Sequence, residues 1–338
     1  MITVDLSDAE IDQVQRIVHA AAEQHATIAD PEFLLKATPL SHELPRRLRE
    51  TLNTFRLHDD GYGALLIRGF PIDEAAIGPT PLDWAGGCAP SPTLRPEMFL
   101  ALCGTLLGDL VAWSSEQNGH LIHNVLPIKE HEISQLGWGS DVEFICHVED
   151  AFSPYSPDYL GLMCMRNPEE TGTNISAVAD LDLDALDVDA LFGENFAVRP
   201  DDAHLTQDED PSRRDAHLDI SHQNRLEEIR NPKKTAIFFG DRRSPYIRLD
   251  PPYMSAIGGP SSKKAFDGLM ASLQEHKQQC RLHPGDILLI DNFRVVHGRE
   301  AFKARYDGTD RWLKRIKVTR DLRKSRTDRP SASSRLVI

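Results

Sequence analysis

Helical spacing of apolar residues dominates the first part of the chain. The segment Ser7–Glu10 has the capping-box pattern that begins many helices. Apolar residues then recur three and four positions apart, at Ile11, Val14, Ile17, Val18 and Ala21. This spacing predicts a helix over 8–25, and a second helix is predicted over 45–55, where Pro45 suits the first turn. We therefore expect a helical N-terminal part over residues 1–60.

Short apolar runs bounded by Gly, Pro and Asp predict strands in the rest of the chain. The predicted strands cover 63–70, 143–148, 159–165, 174–178, 236–240, 246–249, 286–291 and 315–319. Between them we expect a loop over 76–94 and helices over 96–110 and 263–280. The Asp-rich stretch 180–219 predicts one helix with loops on the solvent face. We expect the acidic segment 200–225 either to close over a pocket or to stay a solvated loop.

This order of elements favours a mainly β fold with flanking helices. Many short strands beside helices are typical of a double-stranded β-helix, the jelly-roll core of cupins. The 338 residues are enough for a sizeable core, and the chain has neither internal repeats nor a long linker. We expect a single domain over 1–338 that ends in a basic tail over 320–338.

Composition narrows the classes of function. The formal charge of −14 argues against general binding to nucleic acid or to an anionic membrane. No apolar run approaches the length of a membrane span, and the N-terminal residues lack a signal-peptide pattern. Five scattered cysteines without C-x-x-C spacing are typical of reduced thiols in the cytoplasm. The composition leaves the oligomeric state open, a homodimer included.

Two histidines and one glutamate form a candidate metal site. His147 and Glu149 are spaced i, i+2 in a predicted strand, so their side chains point to the same face. His297 lies in a strand–turn–strand pattern and supplies a third ligand, and Gly298 lets the backbone pass close by. This facial set suits Fe(II) and leaves open positions, but it does not by itself exclude Mn, Co or Zn. Polar residues on an edge strand are the alternative.

A basic segment follows the third candidate ligand. Arg311 begins the run 311–315, and a guanidinium offers a planar fork that grips a carboxylate. If the following strand turns back along the barrel, Arg311 is placed to hold the far carboxylate of 2-oxoglutarate. The alternative is a basic surface strand, since residues 311–338 contain ten Lys and Arg but only two Asp.

Four segments, read in order, resemble one enzyme family. They cover 147–167, 240–250, 284–299 and 307–315. These segments are similar to clavaminate synthase-like Fe(II)/2-oxoglutarate oxygenases, in the branch that hydroxylates free arginine, lysine or asparagine. The resemblance runs from about residue 60 to 325, and Glu149 matches the glutamate that this family uses as an iron ligand.

The resemblance implies roles for residues that bind iron and co-substrate. His147, Glu149 and His297 match the iron ligands, and Arg311 matches the arginine that pairs with the 2-oxoglutarate carboxylate. Thr173 lies where the family often places a hydroxyl near the co-substrate. The implied cofactor is Fe(II), with 2-oxoglutarate and O2 as co-substrates.

Other positions match substrate-binding residues of the family. Arg315 either supports the co-substrate or reaches the substrate carboxylate. Gln117 falls where the family binds the α-amino group, and Ser140 lies in the loop that encloses the amino acid. Asp250 lies in the segment that contacts the substrate side chain, but two prolines follow it where the family tends to have a second acid. The identity of the side chain is therefore open, and a turn cap is the alternative role for Asp250.

The resemblance implies hydroxylation of a free L-amino acid at Cβ, with Cγ next, and release of succinate and CO2. Arginine or a close analogue is the expected substrate. Citrulline, lysine, enduracididine and asparagine remain alternatives, as does desaturation or cyclisation at the same site. Two further classes, a zinc hydrolase and a jelly-roll binding protein without turnover, are disfavoured by Arg311 beside the ligand set.

Overall fold

The computed structural model describes residues 1–57, 63–85, 91–205 and 216–338. The α-helices of these residues are α1 Asp8–Gln24, α2 Pro31–Ser41, α3 Arg46–Leu57, α4 Glu74–Ile77, α5 Leu94–Thr105, α6 Val188–Phe192, α7 Ala216–Arg230 and α8 Pro260–Glu275. Among the described helices, none combines the length and the hydrophobicity that crossing a membrane requires.

Strands alternate with these helices along the chain. They are β1 Ile2–Asp5, β2 Ala64–Arg68, β3 Asp109–Trp113, β4 His123–Val125, β5 Phe144–His147, β6 Tyr159–Arg166, β7 Gly172–Ala177, β8 Phe196–Val198 and β9 Lys233–Thr235. The remaining strands are β10 Phe238–Asp241, β11 Ser244–Ile247, β12 Met254–Ala256, β13 Gln278–Arg281, β14 Ile287–Asp291, β15 Val295–Arg299, β16 Trp312–Thr319 and β17 Leu336–Val337.

Two sheets form the core of the fold. The major sheet has eight strands in the order β1-β2-β14-β6-β16-β3-β17, with β4 added beside β16, and the minor sheet has the order β13-β7-β15-β5. Apolar side chains of both sheets pack against one another, among them Leu162, Leu288 and Leu313 of the major sheet and Ile175 and Val295 of the minor sheet. This is the predicted double-stranded β-helix, so the expected fold class is confirmed.

The N-terminal helices cover the outer face of the major sheet. Because side chains alternate along a strand, residues next to those of the inter-sheet core point outward. Ile287, Leu289 and Ile316 do so, and they join one cluster with Val14 of α1 and Leu52 of α3. The amphipathic helices predicted near the N-terminus thus bury their apolar stripes against the sheet.

Several predicted boundaries are wrong, and strand pairing explains them. The helix predicted over 96–110 ends at Thr105, because Asp109–Trp113 forms β3 against β16. The helix predicted over 263–280 ends at Glu275, and Cys280 lies in β13, which pairs with β7. The predicted loop 76–94 contains the end of α4 and the start of α5, and no strand was predicted for β8, β9 or β12.

Both ends of the described chain also differ from expectation. The part predicted as helical begins with strand β1, which pairs in parallel with β2, and it contains the unpredicted helix α2, with Pro39 inside it. The segment predicted as a basic tail contributes β17, which pairs in parallel with β3. Of the predicted acidic segment 200–225, residues 206–215 lie outside the described residues.

A glycine permits the close approach of β15 and β5. A Cβ atom at Gly298 would lie 2.3 Å from the backbone oxygen of Phe144 and 3.1 Å from the backbone nitrogen of Cys146. Neither backbone atom can move without breaking the pairing, which already contains an irregularity between His297 and Arg299. The prediction that Gly298 allows close passage of the backbone agrees with this geometry.

We expect Gly298→Ala to lower the free energy of unfolding by about 1–3 kcal/mol, because an added methyl group overpacks the strand pair. Denaturant unfolding measures this change. Gly268→Ala is the matched control, since a Cβ at Gly268 of α8 meets nothing within 4 Å. That control should be neutral or stabilising by up to about 1 kcal/mol. Equal stability of the two variants would contradict the packing argument.

Candidate metal centre

The pairing of β5 with β15 brings two imidazoles together. His147 and His297 are direct partners in the register, and their ring centroids lie 4.6 Å apart. Nδ1 of His147 lies 3.0 Å from the carbonyl oxygen of Ile145, so a proton on Nδ1 leaves Nε2 free for a metal. Burial, together with the charge of His297, lowers the pKa of His147 to about 4. His147 is therefore neutral near pH 7, as a ligand must be.

Glu149 lies two residues beyond His147, just after β5 ends. Its backbone N–H donates to Oδ1 of Asn292 at 2.8 Å, and its carbonyl accepts from Nδ2 of Asn292 at 3.1 Å. The hydroxyl of Ser156 donates to the same carbonyl at 2.7 Å. Asn292 is fully buried in the turn between β14 and β15. This two-sided clamp fixes the backbone from which the Glu149 carboxylate projects.

The three predicted ligands meet at one point. Ligand atoms of His147, Glu149 and His297 all lie within 4.8 Å of one another, and all three residues are buried. Oε1 of Glu149 is 3.4 Å from Nε2 of His297. Two imidazoles and one carboxylate on one side of a cavity form the facial set that suits non-haem Fe(II).

Across the cavity, Arg311 is a buried cation whose described contacts include no carboxylate. Its Nη2 donates to the hydroxyl of Thr173 at 3.2 Å, while its Nε has no hydrogen-bond partner among the described residues. Burial lowers the pKa of Arg311 to about 10, which leaves the guanidinium charged at neutral pH. A buried cation of this kind is expected to bind an anion. Arg311 and Thr173, each predicted to lie near the co-substrate, thus contact each other.

Arg299 is a second buried cation beside this cavity, and sequence reasoning missed it. It donates to the carbonyl oxygens of Ser140 and Val142 at 3.3 Å each, and its Nε has no partner among the described residues. Burial and the charge of Arg311 lower the pKa of Arg299 to about 9. Arg299 thus fastens the loop before β5 and adds positive charge to the cavity.

Arg315 lies two residues beyond the inward-facing Leu313 of β16 and contacts the candidate ligand. Its Nη1 lies 3.1 and 3.3 Å from the two carboxylate oxygens of Glu149, and its Nη2 pairs with Glu116 and lies 2.6 Å from Nδ1 of His123. Burial opposes ionisation of Glu149, but the charges of Arg315 and Lys317 hold its pKa well below the usual value. Glu149 is therefore ionised, as a carboxylate must be to bind a metal.

The cavity between these groups has a volume of about 40 Å³. It is lined by two of the candidate iron ligands, Glu149 and His297, and by Arg311, Arg315, Thr173, Phe144 and Leu162. A space of this size holds little more than a water molecule.

Two of the predicted substrate-binding residues lie nearby but are engaged with protein atoms. The amide of Gln117 donates to the carbonyl of Asn124 at 3.0 Å and accepts from its N–H at 2.9 Å. The hydroxyl of Ser140 lies 3.3 Å from that of Tyr306. Both residues are buried, and their roles toward an amino acid stay predictions.

The structure brings a second acid toward Asp250. Asp250 is buried, and burial, with the charges of Asp201 and Glu149, raises its pKa well above the usual value. Asp201 begins the short 202–204 turn, where its side chain accepts from the N–H of Ala203 at 2.9 Å, and burial of its carboxyl raises its pKa to about 6. Sequence reasoning found only Asp250, since no local pattern connects it with Asp201.

The donor set fits an iron centre with a dianionic co-substrate. The candidate ligands are the imidazoles of His147 and His297 and the ionised carboxylate of Glu149, a donor set that matches Fe(II). Arg311 and Arg299 line the same cavity, and each has a buried guanidinium nitrogen without a partner among the described residues. Two such cations match the two negative charges of 2-oxoglutarate.

Comparison with known proteins gives a consistent result. The profile of the family described as "Taurine catabolism dioxygenase TauD, TfdA family" matches residues 36–317. The chain is 38% identical to an enduracididine beta-hydroxylase of Streptomyces hygroscopicus over 100% of both chains. It is 42% identical to an L-ornithine/L-arginine 3-hydroxylase of Catenulispora acidiphila, over 94% of each.

A solved structure shares the whole fold. The non-heme iron oxygenase OrfP, in complex with Fe, succinate and (3S)-hydroxy-L-Arg, superposes with a TM-score of 0.92. It is 37% identical, and the match covers 100% of both chains. The resemblance inferred from sequence segments is therefore confirmed.

We expect Asn292→Ala to lower the affinity for Fe(II) or Co(II) about 10- to 100-fold, because groups that orient a ligand contribute to metal binding. Calorimetric titration under anaerobic conditions measures the affinity. Asn167→Ala is the control, since Asn167 is similarly buried and donates to the carbonyls of Thr171 and Leu282 instead. Both variants should lose stability, but equal metal affinity in the two would rule out the clamp.

Proposed function

Because the chain belongs to the TauD/TfdA family of dioxygenases, we propose that it hydroxylates a free L-amino acid, L-arginine or a close analogue, using Fe(II) and 2-oxoglutarate. The observation that carries this proposal is an iron-type ligand set whose Glu149 acts electrostatically, together with Asp201, on the buried acid Asp250. When bound, Fe(II) with 2-oxoglutarate and O2 supplies the oxidising power that converts C–H to C–OH and yields succinate and CO2.

The co-substrate would be held between the ligand set and β16. His147, Glu149 and His297 would hold iron, and Arg311, steadied by Thr173, would pair with the far carboxylate of 2-oxoglutarate. A guanidinium forms two parallel hydrogen bonds to a carboxylate, so this pairing also fixes the orientation of the diacid. The surrounding apolar residues Phe144 and Leu162 would exclude water.

The amino acid would be held at both ends. Arg315 would bind its α-carboxylate and Gln117 its α-amino group, while the loop that contains Ser140 would help to enclose the amino acid. Asp250 and Asp201 would pair with a guanidinium or an ammonium group at the other end. A cationic side chain is favoured over the amide of asparagine or the ureido group of citrulline, because a positive partner relieves the repulsion that Asp201 exerts on the buried carboxyl of Asp250.

This arrangement favours Cβ, with Cγ next, as the hydroxylated carbon. Holding the amino acid at both ends leaves its middle carbons nearest the metal. Desaturation or cyclisation starts from the same loss of a hydrogen atom, and the two outcomes differ in whether the product gains an oxygen atom or loses two hydrogens. The names of the relatives, which are hydroxylases, support hydroxylation.

We propose that residues 1–338 act as one oxygenase domain, which agrees with relatives that match over the whole chain. A cytoplasmic location suits the described cysteines, 103, 146, 164 and 280, which are all free. A small-molecule substrate is the proposed partner, whereas the absence of nucleic-acid binding and a possible homodimer stay predictions.

Succinate formation from 2-oxoglutarate tests the function. The full chain with Fe(II) and air should form succinate with arginine, ornithine or enduracididine, and mass spectrometry should find a product with one added oxygen atom. Arg311→Gln should raise the concentration of 2-oxoglutarate required while leaving iron content near normal. Succinate formation that no amino acid stimulates would overturn the proposal, as would turnover of neutral amino acids alone.

The pH dependence tests the paired acids. Protonated Asp201 cannot pair with a cation, and its pKa is about 6, so its ionised fraction rises about tenfold between pH 5 and pH 7. We therefore expect the Kd for arginine, measured by calorimetry, to fall about tenfold over that range. The charged and titratable groups around Asp201 are Glu116, Asp150, His204, Asp250, Tyr253 and Lys317.

Asp201→Asn should weaken arginine binding at pH 7 and flatten this pH dependence. Asp184→Asn is the control, because Asp184 is an exposed acid in another part of the surface, and its loss should leave both quantities unchanged. A wild-type pH profile in Asp201→Asn would exclude Asp201 from substrate binding.

A further inference from the structure

Lys317 has its ammonium group buried among three carboxylates. Its Nζ lies 2.5 Å from Oε2 of Glu116, 2.9 Å from each carboxylate oxygen of Asp150 and 3.5 Å from Oε2 of Glu149. Only 2% of the residue is exposed. Burial alone opposes the charge, but the surrounding carboxylates raise the pKa of Lys317 above its usual value. The ammonium is therefore fully charged and contacts a candidate iron ligand.

The acids around Lys317 do not form a second metal site. Glu116, Asp150 and His204 offer ligand atoms within 4.8 Å of one another, which is a metal-like spacing. The ammonium of Lys317 already contacts Glu116 and Asp150, and it occupies the position between them that a metal ion would need. The cluster is thus an ion-pair centre whose cation is a side chain.

Asp150 connects this centre to the rest of the site. In addition to Lys317, it accepts from Nε1 of Trp113 at 2.7 Å and lies 3.1 Å from Nε2 of His204. Its φ of 51° is in the left-handed region, where a residue other than glycine needs support from its surroundings. Since Asp150 directly follows Glu149, the contacts that hold this backbone conformation also direct the Glu149 side chain.

Charge balance depends on the same lysine. Glu116, Glu149 and Asp150 contribute three negative charges, while Arg315 and Lys317 contribute two positive ones. Without Lys317, the buried carboxylates of Glu116 and Asp150 would lack enough positive charge to balance them. Each carboxylate could then repel or displace Glu149.

We propose that Lys317 is a positioning residue that holds Glu149 in the orientation required to bind iron. The inference rests on the proposed function, because it takes Glu149 as an iron ligand. Lys317 acts directly on Oε2 of Glu149, and through Asp150 it fixes the backbone turn that follows. Arg315 pairs with Glu116 and Glu149, and the carboxylate of the substrate is its proposed third partner.

Metal affinity separates positioning from simple electrostatics. If Lys317 only added positive charge near the metal, its removal would make the site more negative and metal binding tighter. If it positions Glu149, its removal should weaken binding and change the coordination geometry. The two roles therefore predict opposite signs for one measurement, which does not depend on turnover.

The test compares wild-type protein with Lys317→Met by anaerobic titration with Fe(II) and Co(II). We expect Lys317→Met to bind both metals about 10- to 100-fold more weakly and to change the visible absorption spectrum of bound Co(II). Lys314→Met is the matched control, because Lys314 is also buried on β16 but pairs with Glu97 at 2.9 Å. That control should lose comparable stability and keep wild-type affinity and spectrum.

Asp150→Asn keeps the test decisive if Lys317→Met does not fold. It preserves the shape of Asp150 but removes the charge that pairs with Lys317. Because loss of this negative charge would weaken metal binding through electrostatics alone, the decisive measurement for this variant is the visible spectrum of bound Co(II), which we expect to change. Unchanged or tighter metal binding by Lys317→Met would overturn the inference, as would an unaltered Co(II) spectrum in either variant. Failure of the wild-type protein to bind either metal would instead overturn the proposed function.

Discussion

The site depends on ion pairs between the cationic side chains of strand β16 and buried carboxylates. Successive inward positions of this strand and the residue before it carry Arg311, Leu313, Arg315 and Lys317, while Trp312, Ile316 and Val318 pack outward against the helices. Arg315 and Lys317 form ion pairs with acids of other elements, whereas Arg311 is available to bind an anion. Because unpaired charges are costly to bury, the spacing of these cations determines where the acids can lie.

The second element of the site is the minor sheet, which sets the distance between the imidazoles. His147 and His297 are neighbours in a strand ladder, so their separation is fixed by backbone hydrogen bonds rather than by flexible side chains. Glu149 lies beyond the end of the strand, so the strand ladder does not fix its position. Hydrogen bonds with Asn292 and Ser156 hold its backbone instead. The site thus combines rigid strand geometry with a clamped turn.

Sequence patterns predicted the parts of this arrangement that are local. The i, i+2 spacing of His147 and Glu149, and the strand–turn–strand pattern before His297, indicated a candidate ligand set, and the family resemblance assigned the three residues to iron. The spacing argument assumed that Glu149 lies in the strand, whereas β5 ends at His147. The same reasoning could have placed Lys317 at the site, because it follows Arg315 by two positions in a predicted strand. It could not have found Asp201, since the approach of Asp201 to Asp250 depends on packing between distant segments. Strand β3 was missed because its apolar residues continue the pattern of the preceding helix, and only pairing with β16 decides between the two.

The long separation in sequence between Glu149 and Asn292, which are 143 positions apart, has a consequence for how the protein acquires its metal. Contacts between distant segments form slowly, because much of the chain must be ordered before they add stability. A growing or partly folded chain therefore presents the imidazoles and the carboxylate separately, each at most a weak ligand. Iron can be captured tightly only after both sheets have closed, so metal occupancy reports on completed folding, and damage far from the centre would be detected first as loss of iron.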